Sequence, residues 1–108
     1  MTLRPPRPSS SSPQPASALD YEIAQEQAAT LGRLGRALEA ALTALADHGR
    51  TRNGRDAGYA ALVQDASDAL WCFMVQREAC GLRDPRAVIR DYRVPAEVHN
   101  RIGAFGRR

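Results

Sequence analysis

The run VQREACGLRDP, residues 75–85, places an arginine, a glutamate and a cysteine within four positions: Arg77, Glu78 and Cys80. Such residue types can build a reactive thiol or a charged binding site, provided a base or a further ligand lies near. None stands at a recognisable spacing. Cys72 and Cys80 fall in one predicted helix, about 12 Å apart along its axis, too far to pair or to chelate one metal. They read as small hydrophobes in a reducing compartment. Asp65 and Asp68 lie one turn apart with no third ligand near in sequence. His48 falls at a helix C-terminus, and His99 in mid-helix beside no identifiable partner. With no glycine-rich phosphate loop and no metal motif, the expectation is a protein without catalysis, cofactor or metal.

The elements that position these residues are helices. Ser17 and Asp20 form a capping signal, and Ala24, Leu31, Leu34, Leu38, Leu42 and Leu45 then keep helical spacing to an end near His48-Gly49. Gly32 and Gly35 weaken that helix but admit a close neighbour. The segment GRTRNGRD is a loop turning at Asn53-Gly54. Asp56 caps a second helix, whose stripe is Tyr59, Leu62, Ala66, Ala69/Leu70, Phe73 and Cys80.

Gly81 then stands where a helix-ending glycine belongs, with Leu82 folding back on the last turn, and Asp84-Pro85 opens a third helix, PRAVIRDY. The GLRDP half of the opening run is therefore punctuation. Arg93-Val94-Pro95 ends the third helix, and Pro95 opens a fourth, with Glu97 in its first turn and Val98, Ile102 and Phe105 on one face. No segment alternates with period two. The expected fold is all-α, a long antiparallel helical hairpin closed by two short C-terminal helices over residues 19–108. A disordered Pro/Ser-rich tail, residues 1–18, precedes it.

Pairing the long helices about their loop sets Leu45 against Tyr59, Leu38 against Ala66, Leu31 against Phe73 and Ala24 against Cys80. In that register Arg77 faces Gln27, the single polar residue in the first helix's stripe. Such a polar layer binds a ligand or a partner's carboxylate, or, in the plainer reading preferred here, fixes register with little net stability. Trp71 and Val75 point away from the seam, and an uncovered tryptophan would forgo roughly 2–3 kcal/mol. The short Gly81 turn favours cover by the C-terminal helices, with a second chain as the alternative. A dimer through the small-residue face of the first helix is compatible with either.

A chain of 108 residues allows one domain with a modest core. The first 18 residues hold five of the seven prolines and five serines, too little apolar surface to offset their ordering entropy. No apolar signal region is present, and the longest apolar run, Ala69–Val75, is far short of the about 20 residues a membrane span requires. A cytoplasmic protein with no membrane contact is expected. Every basic side chain is arginine, and the net charge of +3 is unevenly spread. Residues 19–81 carry six arginines against nine acids, and residues 82–108 seven against three. That asymmetry hints at an acidic partner for the C-terminal end.

Two functions compete on these terms. The first is a small non-catalytic helical interaction module, binding a protein partner or a second copy of itself, with Trp71 and Val75 as partner-binding residues. The second is nucleic-acid binding through a helix-turn-helix-like C-terminal half, in which Arg86, Arg90 and Arg93 recur at i, i+4 and i+7 as a basic stripe. The third helix is short for that task, lacks Asn or Gln to read bases, and carries Asp91. The interaction module is the stronger reading.

The stretches LDYEIAQEQAATLGRLG and VQREACGLRDPRAVIRDYRVPAEV resemble a family of small uncharacterised proteobacterial proteins, a domain of unknown function. The resemblance runs from Leu19 to Ile102, leaving out the tail and the loop. It implies a bacterial cytosolic protein with a compact helical domain. It carries no activity and no site residues.

Overall fold

The computed structural model describes residues 17–51 and 56–106, with side chains as far as Ile102. Four helices follow one another: α1 (Ala18–Thr51), α2 (Ala57–Ala79), α3 (Pro85–Asp91) and α4 (Ala96–Gly106). No strand occurs among the described residues. The expected disorder of the tail over residues 1–16 and the Asn53-Gly54 turn fall outside them, and the Phe105 side chain lies beyond the described side chains. The chain falls into two units, residues 1–30 and 31–108.

In the first unit, α1 begins where Ser17 caps it, its Oγ accepting the Asp20 N–H at 3.1 Å. From Ala18 to Ala29 every residue of this helix is exposed. The core lies in the second unit: Leu38 and Leu45 of α1, Val63, Ala66, Leu70 and Phe73 of α2, and Val88, Val94 and Val98 beyond. These are the apolar stripes of a helical hairpin and its C-terminal closure.

The seam differs in detail from the simple pairing. A methyl group built on Gly35 would sit 3.4 Å from a Phe73 ring carbon and 2.9 Å from the Tyr92 hydroxyl, so Phe73 lies beside Gly35, one turn further along α1 than Leu31. The close neighbour that Gly35 admits is a pair of aromatic rings, Phe73 and Tyr92, edge to face at 5.4 Å. That part of the small-residue face is occupied within the chain and is not free for a dimer. At the loop end α1 continues to Thr51, past His48-Gly49, with the Thr51 hydroxyl bonded to the Asp47 carbonyl at 3.0 Å. His48 meets the N-cap of α2 there. Asp56 Oδ1 accepts the Tyr59 N–H at 2.8 Å and lies 3.0 Å from His48 Nε2.

Both turns at the ends of α3 have the same chemistry but different residues. After α2, Gly81 takes φ 87°, while the Leu82 and Gly81 N–H groups bond the carbonyls of Arg77 at 2.8 Å and Glu78 at 3.0 Å. Asp84 and Pro85 open α3, Asp84 Oδ1 accepting the Ala87 N–H at 3.3 Å. After α3, Arg93 takes the left-handed position at φ 53°, and the Val94 and Arg93 N–H groups bond Ile89 at 3.0 Å and Arg90 at 3.2 Å. Each is the double hydrogen bond of a Schellman turn, one around glycine and one around arginine.

The second turn delivers α4 onto α2. The Tyr59 hydroxyl bonds Glu97, and Arg101 Nε bonds Gln64 Oε1 at 3.0 Å. Between them the buried Ser67 hydroxyl shares its proton between the Val63 carbonyl at 2.9 Å and the Val98 carbonyl at 3.2 Å. Val98 is fully buried beside it.

Two sets of variants test these packing assignments by urea or thermal denaturation. Arg93→Gly raises stability by about 0.5–1 kcal/mol by removing left-handed strain, whereas Gly81→Ala lowers it by about 1 kcal/mol. Gly35→Ala destabilises because Tyr92 must give way. In a Tyr92→Phe background the same change turns neutral or stabilising, as the gain in helix propensity, up to about 1 kcal/mol, is no longer opposed.

Candidate functional site

On α2, Gln64, Ser67, Trp71 and Val75 fall at i, i+3, i+7 and i+11, one stripe along a single side of the helix. The α4 contacts occupy its N-terminal half, at Gln64 and Ser67. The C-terminal half is left uncovered: Trp71 is 51% exposed and Val75 47%. The expectation that the C-terminal helices would close over Trp71 is therefore corrected. They approach the right side of α2 but reach only half of it.

Beyond the Gly81 turn, Leu82 lies 46% exposed, although its N–H completes the Schellman bond. Its side chain stands with Arg77 and Glu78 of the last turn of α2, and with Trp71 and Val75, around an open groove of about 280 Å³ that Arg83 also lines. Single exposed apolar residues need no explanation, but three large ones contiguous around a tryptophan form the kind of patch that binds. The sequence-derived pair Trp71 and Val75 is thus brought together at one site.

The two residues of the expected polar layer, Gln27 and Arg77, belong to different units. Gln27 is exposed, and Arg77 is half-buried with its guanidinium 5.9 Å above the centre of the Phe73 ring. The head of Arg77 thus lies against a core ring, and the residue also lines the groove.

Arg86, Arg90 and Arg93 are all exposed, yet they do not share one helical face. The helix ends at Asp91, Tyr92 is its C-cap, and Arg93 is turned into the left-handed region. Only Arg86 and Arg90 stand on α3, and Arg90 Nε lies 3.3 Å from Asp91 Oδ1. Cys72 and Cys80 are both unpaired, Cys72 exposed and Cys80 half-buried. Among the described residues no group of three or more His, Cys, Asp and Glu side chains could hold a metal ion, and no helix is long and apolar enough to cross a membrane.

The residues that decide the site's shape were not singled out by sequence. Ser67 and Gln64 read as an unremarked serine and glutamine on a helix. Their place on the Trp71 stripe, four and seven positions before it, is the signal that could have found them.

The chain belongs to a family of unknown function, DUF6665, whose model matches residues 7–108. No curated protein and no solved structure matches it.

Exposure sets the expected cost of truncation. Phe73→Ala, which empties a buried ring site, lowers stability by about 3–4 kcal/mol, whereas Trp71→Ala on the half-open groove lowers it by less than about 1 kcal/mol. Urea unfolding followed by circular dichroism separates the two.

Proposed function

We propose that this protein is a non-catalytic helical interaction module that docks a protein partner, or a second copy of itself, in the groove around Trp71, Val75 and Leu82. The carrying observation is the half-exposed Trp71, which lines one groove with two further exposed large apolar side chains, Val75 and Leu82. Aromatic anchors flanked by arginine dominate binding energy at protein interfaces, because they desolvate a large rigid surface with few rotors to freeze. Two unpaired cysteines favour a reducing, cytoplasmic setting. The competing nucleic-acid reading retains only Arg86 and Arg90 on α3, a helix of seven residues.

A photo-crosslinking residue placed at Val75 in the full chain, with Ala44 on exposed α1 surface as the control position, tests the reading. Val75 is expected to capture a defined protein, or the chain itself, where Ala44 does not. The adduct should be lost in Trp71→Ala and kept in the double variant Arg86→Ala, Arg90→Ala. Equal labelling at the two positions, or an adduct indifferent to Trp71, overturns it.

A further inference from the structure

The first unit carries the other uncovered apolar surface. Leu19 is 62% exposed and Ile23 47% exposed, at i and i+4 on one face of α1. That face is acidic. Between Ala18 and Thr30 stand Asp20, Glu22 and Glu26, with no basic residue among them. By the 100° count, Glu22 and Glu26 run along one flank of the Leu19–Ile23 edge and Asp20 lies on the other.

The groove presents the complement: Trp71 and Val75, also at i and i+4, beside Leu82, with Arg77 and Arg83 against the single acid Glu78. An i, i+4 ridge packs into the groove beside another such ridge, and arginine heads at its rim meet carboxylates rather than arginines.

Resting on the groove reading above, we propose that the Ala18–Thr30 stretch of one protomer docks in the Trp71 groove of a second copy, each protomer giving a helix and receiving one. Leu19 and Ile23 pack on Trp71, Val75 and Leu82, and Glu22 and Glu26 face Arg77 and Arg83. The proposed exchange is mutual between two copies, an arrangement that closes on a two-fold axis. It also covers a helical stretch that, as an isolated segment of 13 residues, would be only marginally stable in water.

The test is sedimentation equilibrium on the full chain, with two double variants at exposed positions and helicity checked by circular dichroism. Leu19→Asp with Ile23→Asp spoils the helix and leaves the groove. Trp71→Ala with Leu82→Asp spoils the groove and leaves the helix. The wild type is expected to be a dimer, and each variant alone to associate at least roughly tenfold more weakly. An equimolar mixture of the two offers one intact contact per pair in place of two, and is expected to stay weaker than the wild type.

A monomeric wild type overturns the proposal, and so does a dimer that neither variant weakens. If the groove variant breaks the dimer and the helix variant does not, the occupant is a different surface and the groove reading survives. If Val75 captures no partner either, the groove reading falls as well.

Discussion

The architecture turns on how closely α4 can approach α2 at Ser67. A serine there is small enough to let the Val98 backbone within hydrogen-bonding distance, and the Val63 and Val98 carbonyls satisfy a hydroxyl that would otherwise be buried without a partner. Tyr59 with Glu97 and Gln64 with Arg101 then fix the register on either side. A larger apolar residue at 67 would hold α4 away and lose all three contacts together. Because α4 is held there, it covers the N-terminal half of the second side of α2 and stops short of Trp71. The groove is a consequence of that register.

The turns on both sides of α3 deliver α4 to this place, and they show which term wins when local preference and burial disagree. Gly81 accepts the left-handed conformation at no steric penalty. Arg93 does not; a non-glycine residue there is disfavoured by about 1–2 kcal/mol. The conformation nonetheless aims Val94 into the core, where it is 7% exposed. Burying a valine returns about 1.5 kcal/mol or more, and two orphan carbonyls gain partners. The tertiary gain is comparable to the local penalty, which is why the turn closes around an arginine.

The parts of the fold set by nearest neighbours along the chain were legible in the sequence. Ser17, Asp56 and Asp84 mark helix starts that depend on a side chain accepting a backbone N–H three residues on, Gly81 marks an end that depends on a left-handed backbone, and each sits where its type demands. The apolar stripes gave the core for the same reason. What could not be read was how far one element reaches over another. Trp71 and Val75 were identifiable as pointing away from the seam, but whether α4 would cover them depends on α3 ending at Asp91 and on the Ser67 contact. Periodicity names the face of a helix and says nothing of how far along it the neighbour extends.

The same considerations bear on the proposed dimer. Trp71, Val75, Leu82, Leu19 and Ile23 are each about half exposed, so covering what remains of them is worth roughly 1 kcal/mol apiece, on the order of 5 kcal/mol for one helix in one groove. Losing translational and rotational freedom costs at least about 4 kcal/mol, so a single contact would barely hold two chains together. A two-fold arrangement makes the contact twice against one such loss. Reciprocity is therefore what makes these modest surfaces sufficient, and it is also what makes them separable: a protomer that lost either surface would still offer the other to a different acidic helix or a different apolar groove.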